Sequence, residues 1–333
     1  MKTKKKYLFL LMIAAAGIAS VTVNAQSRQG QSAGWNVKEI SMTKWNEQNG
    51  LPYSKLPGVN LGAVSFEVIS ENKIAFLSNA SNEILITDKA SGKVVKKFPV
   101  SFSPQDFVYD KGFFYVLDEQ FVNVYSESGA FVKKLTFPNS YLGVERITRF
   151  NNATYLLLPS GNSLNIELSR ESEGWITASG NFVITKLTGD NSYSIKVITA
   201  GGKVYEKTLN SEKTIAGVYV TGATDSRVFL DVQTYISESP ISVERNIIAV
   251  ELHAGGLGNI VNSIKVPDCY YVLSNNDFHV SADNSILNMV TSPQGVFVFS
   301  LTETNKAKKA GYPALLTAVK YHFNDHLIQA ETK

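Results

Sequence analysis

Few residues of this chain have the types and spacing that do chemistry. His322 and His326 stand four apart, the separation at which two imidazoles on one helix face share a zinc ion. That meaning needs a helix and a third ligand, and neither is in view; a strand with a polar turn is expected there, with no metal. His253 precedes Ala254-Gly255-Gly256-Leu257-Gly258. Glycines at that density can wrap a phosphate, but the lysine of a P-loop is missing and no helix follows, so this reads as a link. Cys269, the single cysteine, lies beside Tyr270 and Tyr271 with no base paired to it. It is expected to be a packed thiol, and one cysteine makes no internal disulfide. On these grounds no catalytic residue, metal ligand or cofactor is assigned.

What remains is a set of short polar links. They contain Asn79, Ser81 and Asn82; Asp118, Glu119 and Gln120; Ser160 and Asn162; Asp190 and Asn191; Glu238; and Gln294. Asn, Asp, Ser and Gly are what turns require, so each residue is also explained as a solvated turn. Loops held by a rigid scaffold are nevertheless where binding groups concentrate. The candidate binding set is therefore Asn79, Asn82, Asp118, Glu119, Gln120, Asn162, Asp190 and Asn191.

The elements that would position these links are clearest between Pro104 and Pro138. Four β-type runs, Asp106 to Tyr109, Phe113 to Leu117, Phe121 to Tyr125 and Phe131 to Phe137, are separated by short polar hairpin links. The second run is apolar on both faces and must be covered from both sides, while the last carries Lys133 and Lys134 as an outer edge does. Four such strands in a meander make one propeller blade. The layout repeats: Ser91-Gly92-Lys93-Val94-Val95-Lys96-Lys97 sits 37 residues before Ser128-Gly129-Ala130-Phe131-Val132-Lys133-Lys134. Units follow at 144–168, without a clear outer strand, at 175–209, at 216–267 and from Phe278 through Phe299. Residues 318–328 read as the inner strands of a last blade, with Trp35 to Met42 supplying its outer strand and closing the ring. Seven blades are expected, six being the alternative, in one all-β domain over 35–333.

The repeated hairpin ending in Ser-Gly-x-[Val/Phe]-Val-x-Lys resembles the blades of NHL-like and other secreted bacterial propellers. It covers Ala63 to Leu209 well and the remainder loosely. Ser281-Ala282-Asp283-Asn284-Ser285 is similar to the Asp-box of sialidase propellers, but Ser285 replaces the glycine and the aromatic is missing, so a hairpin turn is expected. Lactonase-type propellers place Glu, Asn and Asp around a divalent metal at one end; those positions find no match here. The resemblance implies architecture and leaves function open.

Lys2, Lys4, Lys5 and Lys6 precede an apolar run from Tyr7 to Val21, ended by Val23-Asn24-Ala25. That is the pattern of a secretory signal peptide cut after Ala25, with 26–34 as a flexible lead. Gln26 at the cut excludes a lipoprotein. The formal charge of +3 falls once four of the 32 basic residues leave, because all 29 acidic ones remain. No basic field for nucleic acid and no second segment able to span a membrane is seen. The expectation is an exported, periplasmic or secreted propeller acting as a binding or scaffold module for an envelope protein. A metal-dependent hydrolase, lactonase or lyase is the alternative, and a glycan-binding module the third reading.

Overall fold

The computed structural model describes residues 34–138, 141, 143–144, 146–239, 241–253, 255–267, 271–304 and 312. Among them the structure is all β, with no helix. The chain opens with β1 (Gly34–Lys44) and a small hairpin, β2 (Ser54–Leu56) with β3 (Val59–Leu61). Blade 1 is β4 (Ala63–Ser70), β5 (Lys73–Ser78), β6 (Glu83–Asp88) and β7 (Val94–Pro99). Blade 2 is β8 (Asp106–Asp110), β9 (Phe113–Leu117), β10 (Phe121–Ser126) and β11 (Phe131–Thr136). Blade 3 is β12 (Arg146–Phe150), β13 (Ala153–Leu157), β14 (Ser163–Asn165) and β15 (Arg170–Ser172). Blade 4 is β16 (Trp175–Ile176), β17 (Phe182–Gly189), β18 (Ser192–Ile198) and β19 (Val204–Asn210). Blade 5 is β20 (Ile215–Ala223), β21 (Arg227–Glu238), β22 (Ile241–His253) and β23 (Gly256–Lys265). Blade 6 joins β24 (Phe278–Val280), β25 (Ile286–Ser292) and β26 (Gly295–Thr304) to β1 at its outer edge. These are six four-stranded antiparallel sheets, the blades of a β-propeller.

Seven blades were expected and six are present among the described residues. The reason lies in β1, whose partner was expected at 318–328, outside the described residues. It pairs instead with β26, from Gly34 opposite Thr304 to Lys44 opposite Gly295. Strands β24 to β26 lack a fourth strand of their own, and β1 supplies it, so one blade stands where two were counted. Blade 3 does have an outer strand: β15 is three polar residues, too short and too hydrophilic to show as a strand pattern. Signal peptide, His322, His326 and Cys269 lie outside the described residues.

The inner strands stand side by side, β4 against β8, β8 against β12, β20 against β24 and β24 against β4. Between blades 1 and 2 the core is aromatic, with Phe107 and Phe114 fully buried and Phe98 edge-on to Phe114 at 5.4 Å. Burial of each such ring contributes about 1.5–3 kcal/mol. The outer strand β11 is exposed, as its lysines require, and Lys134 covers the Phe121 ring at 3.3 Å. The repeated Ser-Gly turn also has a packing reason. Gly92 (φ +65°) and Gly129 (φ +91°) are in the left-handed region, and a Cβ on either would collide with the neighbouring outer strand, at Met42 O and at Phe98 respectively. That glycine is where one blade's turn rests on the previous blade's edge.

Candidate functional site

In each blade the links into the first strand and the links from second to third strand open at one end. All eight candidate residues lie in second-to-third links, at that end. The structure keeps them apart, each in its own turn. Asn79 Oδ1 accepts from Gly62 N–H (2.8 Å), and Asn82 takes the left-handed conformation, φ 54°. Asp118 is buried, which pushes its carboxyl up, and accepts from Gln120 N–H (3.2 Å); Glu119 and Gln120 are exposed. Asn162 donates to Glu171 (2.7 Å), and Asp190 and Asn191 are exposed. Ser281–Ser285 is a hairpin turn in which Asp283 accepts from the Ser285 amide and hydroxyl. His253 ends β22 before a simple link. No group of three or more His, Cys, Asp or Glu among the described residues could hold a metal ion.

Two other clusters form at this end. The first is apolar. Trp45 follows the last residue of β1, and its Nε1–H donates to Ser292 O at 2.7 Å, which fixes the ring beside the β25–β26 link. Tyr53 stacks on Tyr271 at 5.0 Å and 19°, and Trp45 meets Tyr53 at 5.6 Å. Asn60 locks the pair, accepting from Tyr53 OH (3.0 Å) and donating to Tyr271 O (2.7 Å). Gly62 lies under this group, where a Cβ would press on Trp45 and Val272. At the same end, Leu56 (46 %), Val59 (41 %), Leu273 (38 %) and Phe102 (83 %) expose their side chains. Each comes from a link that enters an inner strand.

The second cluster is charged and sits where the inner strands begin. Asp106 heads β8 with no solvent exposure. It accepts from Ser65 Oγ of β4 (2.5 Å) and from Ile147 N–H of β12 (3.0 Å). Burial pushes its carboxyl up to about 6, against the pull of Arg146, Ser65 and the Ile147 and Phe107 amides. Arg146 heads β12, with its guanidinium 4.1 Å from the centre of the Trp175 ring. It donates from Nη2 to Asn276 Oδ1 at 2.8 Å, so a blade 3 side chain reaches the approach to blade 6, opposite it in the order of six. Burial lowers the Arg146 pKa, while Asp106, Asp277 and Asp231 work to raise it. Beside it, Arg245 bridges Asp231 (2.7 Å) and Asp277 (2.9 Å) across blades 5 and 6. Tyr312 and Asp277 O both meet Asn288, at 2.8 and 3.1 Å. A third polar pair joins blades 6 and 1: His279 lies 3.0 Å from Glu67. Burial lowers the His279 pKa, but the Glu67 charge and hydrogen bond outweigh it and raise the value.

Sequence reasoning passed over these charges because it took Asp106 and Arg146 as ordinary strand residues. The available signal was an ionisable residue at the first position of an inner strand. On the outer flank, between blades 1 and 2, a groove of about 540 Å³ is lined by Lys73, Asp88 and Val95, and Lys96 crosses it to Glu127 O (2.6 Å).

No helix of the described residues is long and apolar enough to cross a membrane. No family model matches the chain, and no curated protein matches it. Solved structures do match in shape. A Bacteroides fragilis protein described as a candidate exported protein shares 8 % identity over 87 % of this chain and 98 % of its own, with a TM-score of 0.47. A Bacteroides thetaiotaomicron protein of unknown function shares 10 % over 81 % and 76 %, TM-score 0.46. Virginiamycin B lyase of Staphylococcus aureus shares 13 % over 80 % and 99 %, TM-score 0.41.

Proposed function

We propose that this chain is an exported, non-catalytic propeller that binds another envelope or secreted protein through the end carrying Trp45, Tyr53 and Tyr271. The observation that carries the reading is the concentration at this one end of a locked aromatic group and four exposed apolar side chains. Large apolar side chains left in water on a rigid base, with polar groups around them, have the composition of a protein-binding centre and its rim. Asn79, Asn82, Glu119, Gln120, Asn162, Asp190 and Asn191 are the rim, with Asp118 buried beneath it. The buried carboxylates fit a structural role better than a catalytic one, since Ser65, Ile147 N–H and Arg245 already engage Asp106, Asp231 and Asp277. In this proposal β1 closes the ring, an N-terminal strand against a C-terminal one.

A photo-crosslinker at Leu56 tests the reading in the native envelope. A discrete protein adduct is expected, weakened at least tenfold by Tyr53→Ala with Phe102→Ser and untouched by Phe131→Ser on blade 2's outer strand. Equal capture by the wild type and the double variant, or a glycan in place of a protein, refutes it.

A further inference from the structure

The inner edge of blade 6 is short. Its first strand, β24, has three residues, whereas β25 beside it has seven; among the described blades only blade 4, with two residues in β16, has a shorter first strand. The upper part of that edge is covered by the link that enters β24. Val272 N–H donates to Thr291 Oγ1, which donates back to Val272 O, both at 3.0 Å. The link then runs parallel to β4 with a single bridge, Ser65 to Asn276, and the Asn275 and Asn276 amides share one acceptor, Val64 O. Asn275 Nδ2 reaches Gln105 O at 2.7 Å. Asn276 lies between two charges: it accepts from Arg146 at 2.8 Å, and its Nδ2 is 3.5 Å from Asp106 Oδ1. Apart from the backbone bonds to Val64 O and one from Met289 N–H to Asp277 O (2.8 Å), this segment is stitched by side chains, and segments with few ladder bonds open first.

We propose that Val272–Asp277 is a latch across the mouth of the channel, held shut through Asn276 by Arg146 on one side and Asp106 on the other. Blades 2, 3 and 6 then share one fastening, and releasing it frees the latch from β4 while the ladders stay intact. Because Tyr271 adjoins the latch, the exposed aromatic end and the channel interior become one moving part. The latch requires nothing of the partner and stands if the binding reading falls.

Opening the latch hydrates Asp106. The groups facing that carboxyl are Ser65 on β4, Arg146 and the Ile147 amide on β12 and Asn276 on the latch, with Leu117 opposite it on β9. Burial disfavours its charge, so a proton on Asp106 favours the shut state. The latch is therefore tighter at pH 5 than at pH 7.5, by about tenfold in its opening constant.

Hydrogen exchange of the full chain, corrected for intrinsic rates, tests this. Arg146→Gln and Asn276→Ala are each expected to raise exchange in a 271–277 peptide at least tenfold and leave β5 and β9 unchanged. In the wild type that peptide should be better protected at pH 5, and Asp106→Asn should abolish the pH dependence. Should Arg146→Gln fail to fold, Asn276→Ala and the wild-type pH series decide. Unchanged exchange at 271–277, or an equal rise in β5 and β9, overturns the latch.

Discussion

Raising the pH from 5 to 8 is expected to destabilise this protein, opposite to the trend set by ordinary surface ion pairs. The folded state holds Asp106 protonated up to about pH 6, against an ordinary value of 3.8. A pKa raised on folding adds stability that is complete below the unfolded value and lost as pH rises through the folded one. The whole effect is about 3 kcal/mol, of which about 1.4 kcal/mol is present at pH 5 and almost none at pH 8. His279, raised by Glu67, has the same sign. Asp88 and Asp283, held low by Ser91 and Ser285, act only below their ordinary values and leave this window untouched. A fall of roughly 3–5 °C in melting temperature is expected from the Asp106 share. Urea unfolding at pH 5, 6, 7 and 8, on the wild type and Asp106→Asn, measures it. The variant should lose about 1.4 kcal/mol of the difference between pH 5 and pH 8 and keep the His279 share. A variant with the wild-type difference, or a wild type least stable at pH 5, refutes the reasoning.

Other outcomes follow from the same structure. Arg245→Ala leaves Asp231 and Asp277 without their shared cation and should cost about 3–5 kcal/mol by chemical denaturation. Phe114→Ala should cost about 3–5 kcal/mol, whereas Phe131→Ala, 60 % exposed, should stay within about 0.5 kcal/mol. Removing residues 34–44 uncovers the edge of β26; a lower melting temperature and self-association in size-exclusion chromatography are expected, with the far-ultraviolet strand signal largely kept. Calcium, zinc or chelator should leave the melting temperature unmoved, and a metal-dependent rise lost in Asp118→Asn would establish a metal site instead.

The blades were legible because their local chemistry is repetitive. A polar link between two apolar runs, and a Ser-Gly turn before a lysine-bearing edge, specify four strands without any distant information. The number of blades was not legible, because it depends on which strand β1 completes, and an alternating sequence such as Trp35 to Met42 fits any open edge. The candidate site divides the same way. Loop residues Asn79 to Asn191 could be placed at one end from the strand order alone. The meeting of Asp106, Arg146 and Asn276 could not, since it brings the entry to blade 6 against the inner strands of blades 2 and 3. Nor could the stacking of Tyr53 on Tyr271, which needs the β2–β3 hairpin folded back on the entry to blade 6.

The pairing of β1 with β26 also bears on the order in which the molecule can be made. Gly34 waits for Thr304, so the earliest strand synthesised stays without its partner until nearly the whole described chain has emerged. Blades 1 to 5 are each built from neighbouring strands and can fold as they appear; blade 6 cannot. A ribosome-bound chain therefore carries a bare β1 with alternating apolar residues and, later, an unfilled berth on β26. Truncated chains present those two surfaces to each other, and exchange of β1 between molecules is the misassembly this topology invites.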